Sequence, residues 1–261
     1  MSRFSNLELD SDSESESQHE FVGAHVPKDE SYYLGLAQEA FEQGDFEQAL
    51  RRYSKVLEYN PDNRAAWNWQ VRSLIELGEF REAKLWAEKA LERFLDDAEL
   101  LASKAVALAR CGDLEAALAY SDASLEQHGN TPLVWLARGD VFRARQEPRA
   151  DSCFEKALAL AHHDWLVSWL ISRVEYYYER FAVSLKAINT ALKSNPEKEA
   201  IWVQKGLCLW ELSMTGAAME SFQTARELNP GIRHLVPTND TLDDHHLLSK
   251  IGRRLRYLFS R

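Results

Sequence analysis

The chain has 261 residues, and its 31 Lys and Arg against 41 Asp and Glu give a net charge of -10 at pH 7. This acidic balance disfavours non-specific binding to nucleic-acid backbones, which requires a positive surface. The cysteines Cys111, Cys153 and Cys208 are far apart in sequence, which argues against a disulfide framework or a paired-cysteine zinc site. The first residues lack the apolar core of a signal peptide, and no apolar run has the length of a membrane span. We therefore predict a cytoplasmic protein, with the nucleus as the alternative.

The N-terminal segment, residues 1–29, is acidic and rich in serine. Ser13 and Ser15 alternate with Glu14 and Glu16, and apolar residues are few. Such a composition cannot bury enough surface to fold, so we expect a disordered tail. It could serve as a solubilising arm, or as a regulatory segment whose serines resemble substrates of acidophilic kinases. A third alternative is that the tethered tail shields a binding surface of the same chain until a partner displaces it.

A degenerate unit of about 34 residues recurs six times over residues 30–232. Its order is aromatic, small, large, small, aromatic, small and proline. The sixth copy has Trp202, Gly206, Leu209, Ala218, Phe222, Ala225 and Pro230 at these places, and the first has Tyr33, Ala37, Phe41, Ala49, Tyr53 and Pro61 in the same order, with Gly44 between Phe41 and Ala49. This pattern resembles the tetratricopeptide repeat (TPR). The resemblance implies an all-α fold, a right-handed TPR superhelix (an α-solenoid) of six helix pairs.

The turn between the two helices of each pair also has a pattern. Gly44, Gly78 and Gly112 are each followed by an acidic residue, which predicts a left-handed residue and then the acidic start of the next helix. In the last three copies the glycine is replaced by Gln146, Glu179 and Ser213. We therefore expect less regular turns there, and the fourth copy is one residue short around Pro148.

The C-terminal segment, residues 233–261, is predicted to be a linker and a basic amphipathic helix. Thr241 precedes an acidic first turn, and apolar residues then recur at helical spacing at Leu247, Leu248, Ile251, Leu255 and Leu258. An array of repeats ends in an apolar face, so this helix is expected to cap it. Binding to a membrane surface or to a partner is the alternative.

The resemblance also implies a binding site. In tetratricopeptide arrays the first helix of each pair lines a concave groove that meets the ligand. The matching positions here are Leu34, Gln38, Phe41, Asn68, Arg72, Ile75, Val106, Arg110, Leu136, Asp140, Arg143, Trp169, Arg173, Tyr176, Tyr177, Val203, Leu207 and Trp210. Arginines and aromatic residues dominate binding energy at interfaces, which favours a protein-protein interaction adaptor with an acidic or carboxylate-bearing peptide as its partner. The alternatives are that the aromatic residues only pack between repeats and that the arginines only pair with internal carboxylates.

One subgroup of the family grips the acidic C-terminal tails of heat-shock chaperones with lysines, asparagines and an arginine in three repeats. At the corresponding places this chain has Leu34, Gln38, Trp69, Glu99 and Ser103. The standard chaperone-tail clamp is therefore not expected.

Catalysis has little support in the sequence. The adjacent pairs His162, His163 and His245, His246 point in different directions on a helix and lack further metal ligands nearby. We predict no enzyme activity, no metal and no cofactor. Two other classes remain open: a structural subunit of a larger assembly that uses its convex face and C-terminal helix, and a helical-repeat RNA-binding protein, which the acidic charge opposes.

Overall fold

The computed structural model describes residues 28–237, which contain twelve α-helices, one 3-10 helix and no β-strand. The helices are α1 (Glu30–Gln43), α2 (Phe46–Tyr59), α3 (Arg64–Glu76), α4 (Phe80–Arg93), α5 (Ala98–Cys111), α6 (Leu114–Glu126), α7 (Pro132–Ala144), α8 (Arg149–Leu160), α9 (Trp165–Tyr177), α10 (Phe181–Ser194), α11 (Glu199–Glu211), α12 (Thr215–Leu228) and the 3-10 helix η1 (Pro230–His234). The all-α helical repeat is confirmed. Among these helices, none combines the length and apolarity required to cross a bilayer.

The chain divides into two compact units, Met1–Ala157 and Leu158–Arg261. In the first unit α1 packs on α2, α3 on α2 and α4, and α5 on α4 and α6. In the second unit α10 packs on α9 and α11, and α12 packs on α11 and η1. The predicted acidic tail and the predicted capping helix lie almost wholly outside the described residues, so both stay predictions.

The helix starts are fixed by short polar side chains. Asp29, Asp45 and Asp113 each accept a hydrogen bond from the backbone amide three residues later, at 3.0, 3.1 and 3.2 Å. Such caps satisfy amides that have no partner inside the helix, and a negative charge is favourable at this end. Asp45 and Asp113, which follow Gly44 and Gly112, therefore start helices as predicted, whereas Glu79 after Gly78 is the N-cap residue of α4 without a side-chain capping bond.

The turns of the last three repeats differ from our expectation. Gln146, Glu179 and Ser213 adopt φ of 58°, 60° and 62°, in the same left-handed region as Gly44 at 82°. The hydrogen bonds are also the same. Gly44 N donates to the carbonyl three residues earlier and the next amide donates five residues back, and Gln146 and Glu147 repeat both bonds. For the left-handed turn itself the prediction of less regular geometry is wrong, because the bonded turn keeps its shape even where a side chain makes it costly.

The fourth repeat accommodates its missing residue at the start of α8. Buried Ala150 follows the left-handed residue by four positions, whereas Ala49 follows Gly44 by five. Ala150 N and Asp151 N donate to carbonyls only three residues back, at 3.3 and 3.2 Å. A tighter first turn thus brings the small residue to its packing position.

Two glycines in first helices let the paired helices approach closely. A β-carbon on Gly139 would overlap the ring of Phe154, and one on Gly206 would overlap the ring of Phe222. The small residue of the first helix therefore packs against the aromatic residue of the second helix, and the repeat pattern contains both because they form one contact.

Candidate partner-binding face

The predicted groove residues all lie on first helices, but they differ in exposure. Buried residues are Phe41, Asn68, Arg72, Ile75, Val106, Leu136, Asp140, Arg143 and Trp169. Half-buried or exposed residues are Leu34, Gln38, Arg110, Arg173, Tyr176, Tyr177, Val203, Leu207 and Trp210. Packing alone accounts for buried aromatics such as Phe41, which meets Trp69 edge to face with 4.8 Å between ring centroids.

A cleft opens between α3, α5 and α7 of the first unit. The cleft is small, with room for about one water molecule, and the lining residues are Asn68, Trp69, Arg72, Glu99, Ser103, Leu133 and Ala137. Asn68 is central: its Nδ2 donates to Glu99 Oε2 at 2.8 Å, and its Oδ1 accepts from Ser103 Oγ at 2.7 Å. These bonds hold the three side chains in fixed orientations across two repeats.

Arg72 forms part of the cleft wall and is buried. Its Nη2 lies 2.8 Å from Glu76 Oε1, one turn later on α3, and each side chain is 7% exposed. Its Nε has no hydrogen-bond acceptor among residues 28–237. A buried guanidinium donor without an acceptor is costly, and Arg72 is thus an incompletely satisfied polar group of the cleft wall.

Two other predicted groove arginines have carboxylate partners inside the first unit. Arg110 makes two hydrogen bonds to Asp140, Nε to Oδ1 at 3.0 Å and Nη2 to Oδ2 at 2.7 Å. Arg143 pairs closely with Asp151 on α8. For these two residues the structure has the internal pairing that we weighed as the alternative, and their charge is neutralised locally.

The second unit has a more aromatic set on α9 and α11. The Arg173 guanidinium lies 5.4 Å from the Trp169 ring, and its Nη1 donates to Gln204 Oε1 at 3.3 Å. Tyr176 meets Phe181 edge to face at 5.2 Å, and burial, with Glu211 as the next cause, raises the pKa of Tyr176 above its ordinary range. This phenol stays protonated and can donate a hydrogen bond.

The partly buried Val203, Leu207 and Trp210 of α11 pack against the apolar core of the second unit. They therefore present only part of their side chains to solvent.

The sequence analysis missed the cleft itself. Trp69, Glu99 and Ser103 were considered only as places where clamp residues would stand, and Leu133 and Ala137 were not considered. The available signal was their spacing, because all of them lie in the first two turns of first helices, next to positions already assigned to the groove.

Comparisons with known proteins agree with this geometry. The tetratricopeptide repeat is matched over residues 40–106 and again over residues 170–231. An Hsp70-Hsp90 organizing protein of Triticum aestivum is 21% identical over 202 residues, 73% of this chain and 34% of the relative. Stress-induced-phosphoprotein 1 of Caenorhabditis elegans is 25% identical over 205 residues, 74% of this chain and 61% of the relative. The chain thus spans less than two thirds of the length of either relative.

A solved structure shares the fold. It is a thermophilic TPR protein of Thermus thermophilus, which superposes with a TM-score of 0.52 at 22% identity, covering 69% of this chain and 99% of that one. Helix pairs with left-handed turns, small residues under aromatic rings and the two repeat matches all agree, and the chain belongs to the tetratricopeptide repeat family.

Proposed function

We propose that this protein is a non-catalytic interaction adaptor that receives a peptide or a helix of a partner protein on its first helices. The observation that carries the proposal is the buried Arg72 in the wall of an open cleft, with one donor that has no acceptor among the described residues. Asn68 and Glu99 add amide and carboxylate groups of the kind that bind the main chain of an extended peptide. One relative is named as an Hsp70-Hsp90 organizing protein and another as a stress-induced phosphoprotein. A cytoplasmic location, with the nucleus as alternative, is part of this proposal.

The chemistry of the ligand follows from the polar groups of the cleft wall. Arg72, Arg110 and Arg143 each pair with a carboxylate of the first unit, so all three add little net charge to the groove. Arg72 differs from the other two because it lines the cleft and its Nε has no acceptor among the described residues, and on these grounds we propose an acidic or carboxylate-bearing ligand. A single carboxylate, or a main-chain carbonyl, would satisfy its Nε, and this differs from a clamp made of several cations.

The test compares two leucines that differ in location. Leu133→Arg places a charged side chain in the cleft wall, and Leu85→Arg places the same side chain on α4, where Leu85 is 60% exposed. Urea unfolding first establishes that both variants are folded. Each is then used as bait in lysate of the source organism, beside the wild type. We expect partners to be lost from the Leu133→Arg bait and kept by the Leu85→Arg bait.

The opposite result has a specific meaning. Leu85 and Leu95, at 60% and 75% exposure, place apolar surface on and just after a second helix. Partners lost only from the Leu85→Arg bait would reject the groove and favour a structural subunit that uses its outer face. RNA captured in low salt and released in moderate salt, without a retained protein, would favour the RNA-binding class.

A further inference from the structure

The first repeat has an outer side that no later repeat shares. We call this surface the terminal face, and its residues are Tyr32, Tyr33 and Leu36 of α1 with Arg52, Lys55 and Tyr59 of α2. Tyr33 and Tyr59 stack with centroids 5.6 Å apart and planes at 25°, and Tyr32 meets Tyr33 edge to face at 5.3 Å. Tyr59 nevertheless remains 54% exposed.

Helical geometry places the cationic residues of α2 on this side. Residues 52, 55 and 59 follow one stripe of a helix, because they are three, four and seven positions apart. The opposite side of α2 faces α3, where Ser54 Oγ accepts a hydrogen bond from Gln70 Nε2 at 3.1 Å. The terminal face is therefore the surface on which a preceding helix would pack in a longer array.

The terminal face is positively charged, and one of its cationic side chains has no ion-pair partner in the described range. Arg52 makes no ion pair with any residue in the described range, in contrast to Arg110 and Arg143. Lys55 is bound to Glu58 at 3.0 Å and lies near both stacked tyrosines. The face thus offers aromatic surface beside Arg52 and Lys55, which suits a segment that is both apolar and acidic.

We propose that residues 12–27 of this chain dock on the terminal face and complete the first repeat. This stretch has Phe21, Val22 and Val26 as apolar residues, and acidic residues at Asp12, Glu14, Glu16 and Glu20. It joins α1 directly at the tyrosine end, because Asp29 caps that helix and Tyr59 ends α2 beside it. The apolar residues nearest the fold meet the tyrosines, and the acidic residues farther away meet Arg52 and Lys55.

The reach of the segment fits the face. Helix α1 has 14 residues, a length of about 21 Å. Eight extended residues span at most about 28 Å, so residues 20–27 can run along the whole helix. A tethered segment also acts at an effective concentration in the millimolar range, about what weak contacts require. A second copy of the chain or another protein lacks that advantage.

Hydrogen exchange of the full chain tests the proposal. Phe21→Ser with Val22→Ser removes the proposed apolar anchors, and Phe4→Ser with Leu7→Ser makes the same kind of change farther from α1. We expect the first pair to speed amide exchange in α1 and in the last two turns of α2 by about tenfold, and the control pair to leave it unchanged. Exchange in α5 and α6 should not change in either variant.

A second variant tests the face from its own side. Arg52→Glu with Lys55→Glu reverses two charges of the terminal face and is expected to speed exchange in the same amides of α1. Equal exchange rates in wild type and the Phe21→Ser, Val22→Ser variant would overturn the proposal, whatever the charge reversal does. Protection that disappears on dilution, with dimers seen by sedimentation, would also overturn it and assign the face to a second copy of the chain. Because these readouts need no partner, they are independent of the proposed adaptor function.

Discussion

The ion pair between Arg110 and Asp140 gives the sharpest test of how the first unit is held together. The Arg110 and Asp140 side chains are 5% and 0% exposed, and two hydrogen bonds join them. Asp140→Ala leaves the guanidinium of Arg110 buried beside a cavity. Breaking a buried pair in this way costs about 3–5 kcal/mol, because the remaining charge loses its compensation. We expect the free energy of unfolding to fall by that amount.

A matched control is present on the same two repeats. Arg138 Nη1 also meets an aspartate, Asp122 Oδ1, at 2.7 Å, but the Asp122 side chain is 51% exposed. Asp122→Ala should cost only about 0–1 kcal/mol, because solvent screens this pair and replaces the lost contact. Residue types and the shortest distance are matched, so the difference between the two variants reports burial together with the second hydrogen bond of the Arg110–Asp140 pair.

A double variant measures the net contribution of the ion pair, which is the attraction between the two charges minus the cost of removing them from water. Arg110→Met with Asp140→Leu removes both charges at similar volume, and such replacements range from about neutral to stabilising by a few kcal/mol. Urea unfolding followed by circular dichroism measures all four proteins. Equal losses for Asp140→Ala and Asp122→Ala would refute the reasoning, and so would a double variant as unstable as Asp140→Ala alone.

Three further predictions use the same unfolding assay. Gly206→Ala should cost about 1–3 kcal/mol because its β-carbon meets Phe222, whereas Gly216→Ala, with open space around it, should be neutral or slightly stabilising. Ser213→Gly should add about 0.5–1 kcal/mol by relieving φ of 62°, and no gain would contradict the left-handed turn. Burial raises the pKa of the Cys208 thiol from 9.0 to about 11, so the neutral thiol stabilises the fold below pH 9 and this contribution is lost as pH rises through 11. Over that window wild type should lose more stability than Cys208→Ala, and parallel curves would contradict the pKa shift.

The repeat pattern predicted the helix pairs because some of its strongest positions are fixed by contacts that recur between copies. The aromatic at the fourth place of a first helix illustrates this. Trp67 Nε1 donates to the carbonyl of Pro61 at 2.8 Å, and Trp202 Nε1 donates to the carbonyl of Pro196 at 2.8 Å. The tryptophan side chain and the preceding proline carbonyl are thus hydrogen-bonded at the junction between two repeats. Finding one of these two residues in the sequence therefore helps to predict the other.

The turns show where the pattern gave too little information. A glycine predicts a left-handed residue, but its absence does not predict another conformation. At Gln146 the helices on both sides and their paired hydrogen bonds decide the backbone, and the side chain only adds a cost. The conformation of one residue was therefore set by contacts that a reading of residue types cannot include.

Polar residues of the first helices were the hardest to assign, and the reason is the spacing of their partners. Arg110 and Asp140 are 30 residues apart, four fewer than the repeat of about 34, so they occupy different places within the unit although they are neighbours in space. A comparison of equivalent repeat positions assigns each residue to the correct face of the array. It does not show that Arg110 and Asp140 contact each other. The same limit explains why Arg72 and Arg110 were predicted together, although Arg110 Nε donates to Asp140 and Arg72 Nε has no acceptor among the described residues. The repeat determines which side chains share a face, and the register between neighbouring first helices determines which of their charges remain available to a partner.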